Sequence, residues 1–462
     1  MAARSQDEAL RWLARRDHSV IRPGLERIGR ILEAWDRPHA RLKAVHLAGT
    51  NGKGSTAAMI AAMLQAAGYR TGLYTSPHLH ALNERVRIDG RPIATERLAD
   101  LADELRALLE QLGYKDVCDG GAGERSISPD YNDPPTYFEC TTAIALTHLA
   151  REGVDWAVIE TGLGGRLDAT NLVVPRVCVL TPIDYDHMDY LGNSLTSIAW
   201  AKAGILKAGV PAVVAPQRPE AAAVIEREAE ALGAPLVRGG REFHYEEEAQ
   251  GRLTYRDGRH TLSHLICPLL GRHQLMNAAV ATAAALQLRD RGLSLEYDAI
   301  AAGLASVRWE GRLEVMQQRP LLLLDGAHNP AAARALAEFL ADEKRRLGGS
   351  VTALFGIMRD KAVAEVVAAL RPAVDHWIAT APPGTDRALP ADQVAAAITR
   401  AGGSVTIAAD PATALADLLP TLRPDDLCCV TGSFYTVAAA REGFVRRPMP
   451  PRQDGRMPLV PH

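Results

Sequence analysis

Short apolar runs alternate with alanine-rich stretches along the first half of the chain. KAVHLAGT (43–50) reads as a strand and STAAMIAAMLQAAG (55–68) as a helix. RTGLYTS (70–76), DWAVIET (155–161), RVCVLTPI (176–183) and VPAVVAP (210–216) read as further strands. Continuous apolar runs, as opposed to alternating ones, are the mark of strands buried on both faces. Helices between them mean crossover connections, so the pattern predicts α/β architecture with a mostly parallel sheet covered on both sides. The stretch 241–265 differs. Polar and apolar residues alternate there around Asp257-Gly258, which predicts an appended antiparallel hairpin, and HQLMNAAVATAAALQL (273–288) predicts a helix after it.

A second α/β series begins near Leu313, with strands LLLLDGA (321–327), VTALFGI (351–357), HWIATA (376–381), SVTIAA (404–409) and DLCCVTG (426–432). The expected organisation is a first α/β domain over residues 1–312, a Rossmann-like domain over 313–445, and a disordered proline-rich tail over 446–462. A Gly/Pro/Asp/Ser-rich loop at 113–135 is long enough to be functional or disordered.

Composition narrows the class. With 462 residues and 47% hydrophobic content, the chain can bury two or three cores. A net charge of -3 with interspersed arginines favours neither nucleic acid nor a membrane surface. Six cysteines form no C-x-x-C pair, which argues against a zinc site or a disulfide framework. The amino-terminal stretch lacks an apolar core, and no apolar run approaches the ~20 residues a membrane helix needs. A cytoplasmic protein, and a monomer, is expected.

Gly49-Thr50-Asn51-Gly52-Lys53-Gly54-Ser55 lies between a predicted strand and a predicted helix. Glycines let backbone N–H groups curl around phosphate oxygens, the helix N-terminus adds partial positive charge, and the lysine neutralises the outer phosphates. The spacing departs from G-x-x-x-x-G-K-[ST], since Leu47 stands five before Gly52. The alternative is a tight turn carrying a surface lysine.

In open parallel sheets ligands bind outside the carboxyl ends of the strands. Four predicted strands end in polar residues: the phosphate loop, Thr75-Ser76, Glu160-Thr161 and Asp184-Tyr185-Asp186-His187. Magnesium prefers oxygen donors, which makes Glu160 the first candidate ligand, Ser76 a second, and His187 a softer, less expected one. Each has an ordinary reading too: a surface ion pair, a turn before Pro77, a loop histidine. The glycine-rich run Gly162–Asn171 after Glu160 implies close backbone approach to a ligand, or a flexible loop without one.

At these residues the chain resembles the folylpolyglutamate synthase/dihydrofolate synthase family of Mur-type ligases. The matching phrases are GLERIGRILEAW, HLAGTNGKGS, TSPHL, NERVRIDG, ETGLGGRLDATN, DHMDYLG, AKAGILK, GRHQLMNAA, WEGRLE, DGAHNP and TGSFYTV, in family order from about residue 24 to 437. The resemblance implies that Lys53 and its loop hold ATP, with Asn277, Arg312 and Asp325 contacting the nucleotide. It implies one magnesium on Ser76 and Glu160 and a second on Glu160 and His187. Lys202 matches a lysine that such ligases carbamylate, which would make it a carboxylate-bearing ligand; Ala201 stands where the family often has glutamate. His328 would lie on the C-terminal domain's side of the cleft. Thr136-Tyr137-Phe138-Glu139 and Leu167-Asp168-Ala169 match stretches lining a pterin pocket, where an aromatic stacks and a carboxylate accepts N–H donors. Phe138 as core and Glu139 as a helix N-terminal acid is the plainer reading.

The implied reaction is ATP-dependent addition of L-glutamate to dihydropteroate and to the glutamate tail of reduced folates, through an acyl phosphate. An acyl phosphate must be shielded from water, which closure of two domains would provide. A monofunctional folylpolyglutamate synthase is the alternative. A peptidoglycan-type Mur ligase would need a nucleotide-sugar domain ahead of Gly49. An ATP-binding switch would turn over ATP without making an amide.

Overall fold

The structure is a computed structural model that describes residues 6–16, 21–114 and 133–446. Most of the 113–135 loop, Cys118 and nearly all of the proline-rich tail lie outside the described residues. The chain divides into two compact units with the break between Arg312 and Leu313.

In the first unit, β1 (Ala44–Ala48) is buried at all five positions, four of them apolar and the third, His46, an imidazole. In chain order there follow β2 (Thr71–Tyr74), β3 (Val86–Ile88), β4 (Arg91–Pro92), β5 (Trp156–Glu160), β6 (Pro175–Leu180), β7 (Ala212–Val214) and β8 (Leu236–Arg238). They form one sheet in the order β4-β3-β2-β5-β1-β6-β7-β8. Strands β2, β5, β1, β6, β7 and β8 are parallel, while β3 and β4 add an antiparallel edge. Alternation within β5 divides the core between two layers. Trp156 and Val158 pack with the helices Lys53–Ala66 and Arg272–Arg289, and Ala157 and Ile159 with the helices Thr95–Gln111 and Tyr137–Arg151. A third cluster joins β6 and β7 to the helices Leu195–Ala203 and Pro219–Leu232.

The appended antiparallel element has three strands where a two-stranded hairpin was expected. They are β9 (Phe243–Glu248), β10 (Arg252–Asp257) and β11 (Thr261–Ile266), in the order β11-β10-β9. Phe243 and Tyr255 stack at 5.7 Å between ring centres, anchoring the extra strand despite its Glu246-Glu247-Glu248 run.

The second unit holds β12 (Glu314–Gln318), β13 (Leu321–Leu324), β14 (Val351–Phe355), β15 (His376–Ala379), β16 (Ser404–Ile407) and β17 (Leu427–Thr431). Their order is β12-β13-β17-β14-β15-β16, parallel except for β12. No described helix in either unit is long and apolar enough to cross a membrane.

Candidate active site

β1 lies at the centre of its sheet, between β5 and β6, where the connections diverge to opposite sides. That is the place where an open α/β sheet leaves a crevice at its carboxyl edge. The loop after β1 runs directly into the helix Lys53–Ala66. Gly52 caps this helix at φ +86°, and a Cβ there would stand 2.4 Å from Asn277 Oδ1, so the position tolerates only glycine. Thr50 is pinned to the exit of β6. Its N–H donates to Pro182 O at 2.9 Å, its hydroxyl donates to Asp184 O at 2.9 Å, and the Asp184 N–H donates back to Thr50 Oγ1 at 3.0 Å. The first-turn N–H groups at Lys53, Gly54 and Ser55 have no preceding helical turn to bond, which is the condition for holding an anion.

Three strand ends supply a charged cluster around this loop. Lys53 Nζ donates to Gly49 O and Thr50 O at 3.2 Å each and stands 4.0 Å from Glu160 Oε1. Glu160, last residue of β5 and 4% exposed, accepts the Ser76 N–H at 3.1 Å. Burial pushes its pKa up, opposed by Lys53, the Ser76 N–H, Arg312 and Arg85. Lys202, on the helix Leu195–Ala203, is also 4% exposed and donates to Gly49 O at 2.7 Å. Burial, then the charge of Lys53, pushes its pKa down to about 7, while Asp186 and Asp168 oppose the fall. His187 follows β6 with φ +52°; its N–H donates to Asp186 Oδ1 at 2.9 Å and its Nε2 lies 3.9 Å from Asp186 Oδ2. Asp186 therefore acts on both His187 and Lys202.

The donor set decides which cation fits. A buried carboxylate and a serine hydroxyl are hard oxygen donors that suit magnesium, which leaves further positions to phosphate and water. His187 and an unmodified Lys202 do not form such a set, because an ammonium repels a cation. They would suit a second ion only if Lys202 carried a carboxylate.

On the other face of the sheet, Thr136 and Glu139 close a reciprocal cap on the helix Tyr137–Arg151. The Glu139 N–H donates to Thr136 Oγ1 at 3.2 Å and the Thr136 N–H to Glu139 Oε2 at 2.8 Å. Arg27 Nε donates to both Glu139 oxygens, at 3.0 and 3.1 Å. Asp168 is likewise engaged at both oxygens. Oδ2 accepts the N–H groups of Gly162 and Leu163 at 3.0 and 2.9 Å, and Oδ1 accepts the N–H and hydroxyl of Thr170 at 3.0 and 2.5 Å. Phe138 abuts Gly162, where a Cβ would meet its Cζ at 2.3 Å. Tyr137 and Ala169 are buried, whereas Leu167 is half exposed.

Asn277 lies on the helix Arg272–Arg289 beside Gly52, with its amide donating to Gln274 Oε1 at 3.0 Å. In the second unit, Asp325 follows β13 and accepts the N–H groups of Leu313 and Ala327, both at 2.9 Å. His328 Nδ1 lies 2.8 Å from Gly326 O, and the next residue, Asn329, caps the helix Pro330–Leu347.

Four residues of the first unit escaped the sequence reading. Arg85 is buried, stands 5.5 Å over the Tyr137 ring, and donates to His78 Nδ1 at 2.9 Å. Trp309 covers Gly54, where a Cβ would come within 3.2 Å of Nε1. Arg27 holds Glu139, and His46 stands inside β1 itself. Only His46 carried a visible signal, as a lone imidazole in an apolar strand.

Residues 95–285 match the Mur ligase middle domain, and residues 311–434 the glutamate ligase domain of Mur ligases. The chain is 36% identical over 371 residues to the dihydrofolate synthase/folylpolyglutamate synthase of Bacillus subtilis, covering 77% of this chain and 80% of that protein. The structure of E. coli FolC in complex with DHPP and ADP matches with a TM-score of 0.83 at 32% identity, over 96% of this chain and 99% of that one. The bifunctional folylpolyglutamate synthase/dihydrofolate synthase of Yersinia pestis, complexed with AMPPNP and Mn ion, matches with a TM-score of 0.81 at 34% identity, over 96% and 99%.

Proposed function

The chain belongs to the folylpolyglutamate synthase/dihydrofolate synthase family of Mur-type ligases, and from that membership we propose that it joins L-glutamate to dihydropteroate and to the glutamate tail of reduced folates, using ATP. The observation that carries the reading is the meeting of Lys53, Glu160, the Ser76 backbone and Lys202 around one glycine loop at the sheet's carboxyl edge.

The loop Gly49–Ser55 receives the ATP phosphates, with Lys53 leaving its two loop carbonyls to meet the γ-phosphate. Asn277 and Arg312 serve the nucleotide on the first unit; Asp325 and His328 are the second unit's candidates. The acceptor's carboxylate oxygen attacks the γ-phosphorus, the bond to the β-phosphate oxygen breaks, and ADP leaves. The free amine of glutamate then attacks the acyl carbon and displaces phosphate. Little covalent help is required of the protein; positioning and charge neutralisation carry most of the acceleration. Magnesium held by Ser76 and Glu160, and a second ion by Glu160, His187 and carbamylated Lys202, would offset charge on the phosphoryl group in flight.

The acceptor's ring system is assigned to the segment Thr136–Glu139 and to Leu167, Asp168 and Ala169. Phe138 offers an aromatic face, and Glu139 keeps acceptor capacity on Oε1 beyond its bond to Arg27. The working form is taken as a cytoplasmic monomer, in keeping with five buried free thiols among the described residues.

The test is a product assay by mass spectrometry with ATP, magnesium, glutamate and either dihydropteroate or tetrahydrofolate. Both acceptors should gain glutamate, with one ADP formed per amide. Extension of tetrahydrofolate alone would reduce the activity to folylpolyglutamate synthesis, and ATP turnover without an amide would overturn the proposal.

A further inference from the structure

We propose that His46 is a positioning residue for the acceptor, acting through Thr170 on Asp168 and thereby on the backbone of Gly162 and Leu163. The inference rests on the assignment of Asp168 and its loop to the acceptor site.

His46 belongs to the strand that feeds the phosphate loop, yet its side chain faces the other way. In β1, Val45 and Leu47 pack with the nucleotide-loop helix, and Ala44, two residues before His46, packs in the opposite layer with the helix Tyr137–Arg151. His46 is fully buried, with Nε2 2.8 Å from Thr170 Oγ1.

The proton positions along the chain follow from donor accounting. Asp168 accepts from four donors, two on each oxygen, which is the environment of an ionised carboxylate. The single hydroxyl proton of Thr170 goes to Asp168 Oδ1, at 2.5 Å. Thr170 Oγ1 can then only accept from His46, so Nε2 carries the ring proton. Nδ1 is buried with no hydrogen-bond partner, so a second proton there would be an unpaired buried charge. Burial, with a smaller push from Lys207, lowers the imidazole pKa to about 3, in keeping with a neutral ring.

The result is a relay that converges on Asp168: His46 N–H donates to Thr170, Thr170 O–H donates to Asp168 Oδ1, and the two N–H groups that follow the Glu160 strand donate to Asp168 Oδ2. Gly162 in turn sets the position of Phe138. Breaking the relay removes the Thr170 hydroxyl from Asp168 Oδ1, or leaves that hydroxyl without its support from His46, so that Asp168 is held by its backbone donors with less restraint and the turn assigned to the acceptor's ring loosens. The nucleotide loop, whose contacts run through Thr50, Asn277 and Lys53, keeps its own supports.

Two substitutions break the relay and two preserve it. Thr170→Val keeps the shape and removes the hydroxyl, and His46→Leu removes the donor. Thr170→Ser keeps the hydroxyl, and His46→Gln can place an amide N–H near the Nε2 position. Hydrogen exchange at Gly162 and Leu163 reads the relay without any need for activity. It should accelerate about tenfold in Thr170→Val and His46→Leu and stay near wild type in Thr170→Ser and His46→Gln. In turnover assays the two breaking variants should raise the acceptor KM about tenfold, with the ATP KM and kcat within about twofold of wild type. Their double variant should lose no more than either alone, since both cut one chain.

Unchanged exchange at Gly162 and Leu163 would overturn the relay. Altered exchange with acceptor and ATP KM rising together would overturn its role toward the acceptor. A wild-type chain that makes no glutamyl product would instead sink the assignment of function, and the exchange data would still decide the relay.

Discussion

Lys202 should take up carbon dioxide, and activity should depend on it. The side chain is 4% exposed, and its pKa is pushed down to about 7 by burial and then by Lys53. At about pH 8 an ordinary lysine holds about 0.3% of its amine as free base, whereas one at about 7 holds about 90%, roughly 300-fold more. Only the free base attacks carbon dioxide. The nitrogen gains a bond to carbon, one proton leaves, and a carboxylate replaces a potential ammonium, so acid reverses the reaction. Enzyme prepared in carbonate-free buffer should be slow and should recover on adding bicarbonate. The requirement should steepen below about pH 7, where the amine becomes mostly protonated. Isotopically labelled bicarbonate should give a carbamate carbon signal that Lys202→Ala lacks, and small carboxylic acids should partly restore that variant's turnover. The stability sign is opposite to the functional one. A lysine whose folded pKa lies below its unfolded value costs stability below about pH 10.5, most fully below about pH 7. Lys202→Met should therefore be inactive yet melt at or above the wild-type temperature. Full activity with carbon dioxide removed, or fully active enzyme in which trapping finds only unmodified Lys202, would refute the reasoning.

Glu160→Gln keeps an acceptor for the Ser76 N–H but removes the buried charge. It should fold with stability equal to or above wild type and lose at least about 100-fold in kcat, about 2.7 kcal/mol; near-normal turnover would remove Glu160 from the site. Gly162→Ala sets a methyl against Phe138, so the acceptor KM should rise while the ATP KM holds, and isothermal titration with each ligand separates the two. His46 stays neutral in the folded chain far below the unfolded pKa of about 6.5, so stability present above that value is lost as pH falls toward about 3. The loss at about pH 5 should be about 2 kcal/mol from this group, read from urea midpoints, and His46→Gln should flatten that part of the pH dependence.

The sheets were legible because strands buried on both faces write themselves as unbroken apolar runs, as in LLLL at 321–324. What the pattern hid were elements whose burial is partial. β3 and β4 carry Arg87, Arg91 and Pro92 at an edge, β8 is three half-buried residues, and β9 carries three glutamates yet is held by Phe243 and Tyr255. The charged site was readable for a topological reason, since four strand ends face one edge whatever the side-chain details. The acceptor side was less so. Thr136-x-x-Glu139 is a capping box that the proposal also assigns to the acceptor, and one sequence cannot apportion a carboxylate between a helix end, Arg27 and a ligand. Asp168 poses the same problem: its four donors lie on three residues whose convergence depends on the turn itself. Buried polar relays are assembled by tertiary contact, as between His46 and Thr170, 124 positions apart.

The charges around Gly49 carry one further consequence. Its carbonyl accepts from both Lys53 and Lys202, at 3.2 and 2.7 Å, so two amines compete for one acceptor, and Lys53 helps to strip Lys202 of its proton. A carbamate on Lys202 would put a negative charge beside Lys53, and the ATP phosphates would bring several more to the same lysine. Either anion alone gains from Lys53, while the second to arrive finds that charge already offset and meets a like charge. Unit charges about 4 Å apart interact by about 1 to 4 kcal/mol between bulk water and a protein surface, so a net coupling near the low end is about a fivefold change in affinity. Without divalent metal, bicarbonate should therefore weaken binding of a non-hydrolysable ATP analogue about fivefold. With magnesium the sign should reverse, because a cation between the two anions turns their repulsion into shared attraction. Calorimetric titrations of the analogue, with chelator or magnesium and with or without bicarbonate, measure all four corners of this cycle. Lys202→Ala should erase the bicarbonate effect in both. A bicarbonate effect of the same sign in chelator and in magnesium would mean that Lys202 and the phosphates do not share Lys53, and the charge arrangement argued here would fail.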